Sequence, residues 1–295
     1  ISDTVKCDLE LPVIRADKRY FSLKHRGENN DHWGIVSDVA VEDGIRIITL
    51  RSTVQVHNHF NTPVDVYYMT ARGNELECIS TIEPGAIINI PLKAVYTPTN
   101  ELFFSIPGYS VTSTPFIWKD LQLNLSITKL MHCTPKSAGE CNEPFVIKAV
   151  GETEQIFHES TNRHTMASTC YNIHLHPAVT LKNCLPVNII CCVQNIAEEK
   201  FVKPGETLQM PNVDPGTSTI VIRLPDYLEK EWSCQHDVVV NPPAFSVWQF
   251  DSYDSVTKVS LDLGMHVLTK GGSMVMSLYC PFWMLNKTDL LISYR

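Results

Sequence analysis

The chain has 295 residues, a hydrophobic fraction of 44% and a formal charge of −8. That is enough apolar side chain for packed cores in more than one domain. The charge has no long block of either sign, which argues against a nucleic-acid footprint or a polybasic membrane patch.

The first residues, "ISDTVKCDLELPV", lack the charged and hydrophobic regions of a signal peptide, and no apolar run approaches the ~20 residues of a membrane-spanning helix. The chain starts without Met and stops at "LLISYR", so it reads as a segment cut from something larger. Residues 1–29 form a leading element, and its basic cluster Lys18, Arg19, Lys24 and Arg26 reads as a solvated face.

Strand-like alternation then begins with "IRIITLRSTVQVHN". In "VQVHNHFNTPVDVYY", side chains two apart share a face, so Val54, Val56, Asn58 and Phe60 point to the core while His57 and His59 point away. A buried primary amide costs about 1–3 kcal/mol unless it is paired, so Asn58 needs a specific partner. Downstream, "EPGAIINIP" predicts a type II turn at Pro84–Gly85 followed by a strand, "LFFSIPGY" a strand ending at proline, and Trp118 comes next. The polar stretches "CTPKSAGECNEP" and "GETEQIFHESTNRHTMAST" read as a long loop and an inter-unit connection.

The same order then returns. "VTLKNCLPVNIICCV" puts Asn183 on the face of Val179, Leu181 and Leu185; "KPGETLQMP" repeats the Pro-Gly turn, "IVIRLPDY" the strand ending at proline, and Trp232 the tryptophan. After "TKVSLDLGMHVL", "FWMLNKTDLLISY" opens a third copy with Asn286 in the same register. The spacings, 183 − 58 = 125 and 286 − 183 = 103, suit a small antiparallel β-sandwich rather than a solenoid repeat. No segment carries helical periodicity over 10–12 residues. The expected fold is all-β, as tandem β-sandwich-like modules: residues 30–155, residues 156–265 and the start of a third at 266–295. The first copy has two extra residues between its asparagine and proline (Asn58 to Pro63 against Asn183 to Pro186), which predicts a different turn there.

Sites of chemistry are sparse. His57 and His59, like His174 and His176, have the strand spacing of two metal ligands on one face, but no third ligand is identifiable near either pair, so the expectation is no metal and no cofactor. Asp226, Glu229 and Glu231 read as surface charges, and there is no GxSxG, Walker or GxGxxG motif, so no catalytic residue is assigned. None of the ten cysteines forms a CxxC pair, and several lie in apolar runs as small hydrophobes, which points to a reduced, cytosolic protein. The sequons at Asn124 and Asn286 read as accidental, the second because its register predicts burial.

The segments "IITLRSTVQVHNHFNTPVDVYY", "AVTLKNCLPVNI", "LPDYLEKEW" and above all "PFWMLNKTDLL" together resemble the adaptor-binding region of the vacuolar protein sorting-associated protein 13 family, the chorein-type bridge-like lipid transfer proteins. The resemblance covers nearly everything from Asp31 onward. It implies repeated β-rich modules, each with a characteristic asparagine, matched here by Asn58, Asn183 and Asn286. The place of these three in the apolar register at the end of a strand, just before a turn, predicts a structural latch on which adaptor binding would depend. The resemblance further implies a non-catalytic module, cytoplasmic and peripheral at organelle membranes and contact sites, that recruits a lipid-transfer protein by binding adaptor proteins with short Pro-x-Pro motifs. Membrane contact would be indirect, and nucleic acid is not among the partners. The reading from another class is an extracellular tandem β-sandwich for adhesion or recognition, in which the even number of cysteines would be paired. A third and weaker one is a carbohydrate-active or metal-dependent enzyme.

Overall fold

The computed structural model describes residues 11, 14–24, 32–70, 75–136, 143–158, 166–194, 196, 198–254, 256–282, 287, 288 and 290, and among them the chain is almost all β. The described helical segments are a single turn at Leu92–Val95 and a 3-10 turn at Trp118–Gln122. The described residues group into two compact units that part between Pro177 and Ala178, with Glu143 grouping with the second.

The first unit opens with a three-stranded antiparallel sheet in the order β1 (Lys18–Lys24), β2 (His32–Glu42), β3 (Ile45–Ser52). Phe21, Leu23 and Ile35 bury together against Trp33 and Leu92, and Trp33 stacks on Tyr96 at 5.1 Å.

The sandwich itself follows: β4 (Val54–Asn58), β5 (Val64–Met69), β6 (Leu76–Ile82), β7 (Ile87–Asn89), β8 (Glu101–Ser105), β9 (Phe116–Ile117), β10 (Ser126–Cys133), β11 (Phe145–Phe157) and β12 (Ala167–Pro177). Two sheets form, β10-β11-β12-β4-β7 and β6-β5-β8-β9. Strict alternation on β4 and β5 sends Val54, Val56, Val64 and Val66 inward, where they meet Phe104, Phe116, Ile147 and Ile173 in one core. Each such buried side chain contributes about 1.5–3 kcal/mol. Among its described residues, the stretch expected to be an inter-unit connection is largely strand, because the polar outer half of β11 pairs residue for residue with β12 from Glu152↔Asn172 to Phe157↔Ala167. Ladder hydrogen bonds need no apolar side chains, so composition hid this hairpin.

The second unit repeats the order with β13 (Val179–Asn183), β14 (Ile189–Val193), β15 (Lys200–Val202), β16 (Thr207–Met210), β17 (Thr219–Tyr227), β18 (Lys230–Asp237), β19 (Phe245–Asp254), β20 (Thr257–Lys270) and β21 (Ser273–Tyr279). Its strands run β19-β20-β21-β13-β16 and β15-β14-β17-β18, strand for strand the order of the first unit, but the single pairing Ser233↔Asp251 joins β18 to β19 and makes one nine-stranded sheet. Both Pro-Gly turns form as expected: Gly85 and Gly205 have φ of 73° and 80°, and the bonds Ala86 N–H to Glu83 O and Glu206 N–H to Lys203 O close them. Trp118 and Trp232 are both buried. One expectation needs correction. β17 does not end at its proline but runs on to Tyr227 through a register shift between Leu224 and Tyr227, the kind of irregularity that accommodates a residue with no N–H to donate.

In the first unit, β11 passes close beneath the 3-10 turn at Gly151. A Cβ there would stand 2.7 Å from Leu121 Cδ1 and 2.8 Å from Phe116 Cζ, so the strand needs a glycine for close approach. We expect Gly151→Ala to destabilise the protein by about 1–3 kcal/mol through overpacking, read as a lowered urea midpoint. An unchanged midpoint would show that this crossing is looser than the distances indicate.

Candidate functional site

Asn58 ends β4 on its buried face at 1% exposure, and Asn183 ends β13 with none of its surface exposed. Asn58 Nδ2 donates to Thr62 O and Ile82 O, both at 2.9 Å, while Oδ1 accepts from Phe60 N–H at 2.9 Å. Asn183 makes the same set: Nδ2 to Val187 O and Val202 O at 2.9 Å, and Oδ1 from Leu185 N–H at 3.0 Å. Each amide thus ties the loop after its own strand to the last residue of the third strand, satisfying backbone groups that no ladder reaches. The asparagine backbone holds the Pro-Gly turn as well, through Gly85 N–H to Asn58 O at 3.0 Å and Gly205 N–H to Asn183 O at 2.8 Å. The displaced proline does not alter the loop as expected: five residues separate β4 from β5 and five separate β13 from β14, and both asparagines bond the groups two and four positions on. Asn286 lies outside the described residues.

Each latch sits on a rung that crosses its sheet. In the second unit the rung is Asn183↔Leu278↔Met265↔Ser246, and in the first it is Asn58↔Leu175↔Ala149↔Lys129. The rung in the second unit ends at an edge without ladder partners: among the described residues, β19 from Phe245 to Phe250 pairs with β20 alone, and β18 splays away beyond Ser233↔Asp251, touching it through the His236 ring stacked on Trp248 at 4.1 Å. Val267 N–H bonds Ala244 O, and hydrogen-bonded pairs alternate in an antiparallel ladder, so Ser246 and Trp248 turn their backbone groups to β20 while Phe245, Val247 and Gln249 turn theirs outward. Phe245 and Val247 expose 67% and 68% of their surface. Alongside lies a groove walled by Val239, Pro242, Pro243, Trp248, Val267 and Met276. A second recess borders the latch loop itself, between Pro186–Asn188 and the irregular turn Leu224–Tyr227.

The histidines that the sequence left as two separate pairs come together. β4 and β12 are parallel neighbours with His57 opposite His174. His59 Nε2 is 3.0 Å from His174 Nδ1, and the His59 and His176 rings stack at 4.1 Å. Burial pushes all four imidazoles below their ordinary pKa, His57 and His176 to about 4; repulsion from neighbouring histidines adds to this at His57, His59 and His176, while the Glu152 carboxylate opposes it at His174. Asp226, Glu229 and Glu231 are exposed, as expected. The eight described cysteines are all unpaired, and burial pushes the thiols of Cys133, Cys170 and Cys191 up to about 12, which makes them inert. Cys7 and Cys141 lie outside the described residues. No described helix is long and apolar enough to cross a membrane.

Two β-sandwich units built on one strand order, each closed by a buried asparagine, define a tandem all-β repeat protein. The chain belongs to the family described as vacuolar-sorting associated protein 13, adaptor binding domain, which it matches over residues 10–295. It is 25% identical over 97% of its length to the human intermembrane lipid transfer protein VPS13C, and 24% identical over 97% to mouse intermembrane lipid transfer protein VPS13A. It is also 25% identical over 97% to the intermembrane lipid transfer protein VPS13 of Chaetomium thermophilum. The chain spans 8% of the length of the first relative and 9% of the other two.

Serine at position 183 would be too short to reach Val187 O, Val202 O and Leu185 N–H together. We expect Asn183→Ser to cost on the order of 1–3 kcal/mol through buried groups left unpaired, and Asn58→Ser to cost a similar amount. Chemical denaturation followed by tryptophan fluorescence reads both. A transition unmoved by either substitution would mean that the amides do not brace the units.

Proposed function

We propose that this chain is a non-catalytic adaptor-binding segment of a bridge-like lipid transfer protein, and that it captures adaptor proteins through short Pro-x-Pro segments. In this reading it acts in the cytoplasm, and its contact with organelle membranes and contact sites is indirect. Each unit, from its asparagine strand to the strand that returns beside it, is one module, and the segment carrying Asn286 opens a third. The latch asparagines then serve binding by holding the sheet that presents the adaptor site, not by touching the adaptor.

The observation that carries the reading is the open edge of β19, with Phe245 and Val247 exposed and outward-facing backbone groups at Phe245, Val247 and Gln249. An extended peptide added to a sheet edge bonds through every second residue, because successive residues point their backbone groups to opposite sides. In Pro-x-Pro both prolines share one side and the middle residue takes the other. With the middle residue turned to β19, neither proline forfeits a ladder hydrogen bond, and the fixed proline φ lowers the entropy lost on binding. The neighbouring apolar groove offers the prolines a surface to cover. The unpaired state of the eight described cysteines favours this reading over an extracellular module held by disulfides.

The test is fluorescence polarisation with synthetic Pro-x-Pro peptides and Ala-x-Ala controls. We expect saturable binding of the proline peptides only. Val247→Pro, which removes one outward N–H without touching the β20 ladder, should weaken it about tenfold, roughly the worth of one hydrogen bond. Equal binding of the two peptide sets, or full affinity in the variant, would overturn the edge mechanism.

A further inference from the structure

The histidine cluster of the first unit does not belong to the repeat. At the positions equivalent to His57, His59, His174 and His176, the second unit has Lys182, Cys184, Ser277 and Tyr279, and its strands pair in the same way. The fold therefore has no need of imidazoles on this face. Assembling four of them is unfavourable in itself, since each loses hydration on burial, and the Glu152 carboxylate offsets this only in part at His174.

The geometry offers a compensation. One ring nitrogen from each of His57, His59 and His174 lies within 4.8 Å of the other two. Nitrogen ligands at 2.0–2.1 Å from a tetrahedral zinc ion stand about 3.3 Å apart, close to the 3.0 Å between His59 Nε2 and His174 Nδ1. His57 Nε2 is shut off from solvent without a well-formed hydrogen bond, although the Asn172 side chain lies near enough to favour its protonation slightly. Strand spacing fixes the convergence. His57 and His174 are register partners on parallel strands and His59 extends the line of His57, so the sheet holds the three rings on one face without a dedicated loop.

We propose that His57, His59 and His174 form a site for a divalent transition-metal ion, zinc in the first instance, with a fourth position open to water or to His176. Three neutral imidazoles suit zinc, copper or nickel and not the oxygen-seeking magnesium or calcium ions. The neighbouring Glu152 carboxylate partly offsets the positive charge that Lys148 and Arg51 add near the cluster. Because β4 is the first strand of the sandwich and β12 the last, the ion would staple strands whose ligands are 174 − 57 = 117 residues apart. It would bind the folded unit and not the unfolded chain, and so add to its stability.

The experiment titrates the full chain, freed of metal by a chelator and desalted, with zinc in competition with a chromogenic chelator, and with cobalt(II) followed by visible absorption. We expect one tight equivalent, intense ligand-field bands characteristic of tetrahedral cobalt, and a zinc-dependent rise in melting temperature. His57→Asn and His174→Asn should each weaken binding at least tenfold and abolish the thermal shift, while His266→Asn in the second unit should change neither. Circular dichroism checks that the variants fold. Absence of a saturable equivalent in the wild-type chain, or equal affinity in a His57→Asn/His59→Asn/His174→Asn variant, would overturn the assignment.

Discussion

A buried primary amide at the end of the first strand is the constraint on which each unit depends. A sandwich whose first strand must turn sharply into its second leaves loop carbonyls and an N–H beyond the reach of any ladder, and an unpaired buried backbone group costs about as much as a lost hydrogen bond. Asparagine is the side chain of the right length that offers two donors and an acceptor with no charge to bury. Asn58 and Asn183 use all three at once, binding the loop ahead and the end of the third strand, while their backbone groups clamp the Pro-Gly turn. One residue thus fixes where strands one to four of a unit stand relative to one another.

The same position controls how the unit closes. β12 returns parallel to β4 and β21 parallel to β13, with Leu175 opposite Asn58 and Leu278 opposite Asn183. A one-residue slip in either pairing would carry the whole hydrophobic set to the wrong face. Pinning the first strand therefore pins the last, and through it β11 and β10 or β20 and β19. Such closure also explains why the repeat can be read along the chain. A strand that returns beside the first is followed at once by the asparagine strand of the next copy, as β12 ends at Pro177 and β13 starts at Val179.

What the sequence made legible follows from these two facts. Alternation put Asn58 and Asn183 on the buried face because a strand's period is two, and the Pro-Gly pairs announced their turns because only glycine takes the φ required. Loop length was misread because proline was used as its marker: Pro63 and Pro186 occupy different positions in loops of equal length. The β11–β12 hairpin was hidden by its polar composition, and the run of β17 past Pro225 by the assumption that a proline ends a strand. The meeting of His57 and His59 with His174 and His176 could not be read at all. It depends on a parallel pairing between strands more than a hundred residues apart, and nothing local in either pair refers to the other.

The two units also separate what the repeat must keep from what it is free to change. On the inner face of the paired first and last strands, Val56 and Leu181, Asn58 and Asn183, Ile173 and Met276, and Leu175 and Leu278 occupy matching places, apolar apart from the latch itself. On the outer face, His57 answers to Lys182 and His174 to Ser277, with no chemistry in common. Close packing penalises variation on the first set by kilocalories, whereas exposed or half-exposed positions tolerate it at little cost. A tandem array of such modules can therefore hold one architecture constant and give each copy its own outer surface. In this chain the difference is already large, because the first unit gathers imidazoles across its parallel pair while the second leaves an apolar strand edge open at β19.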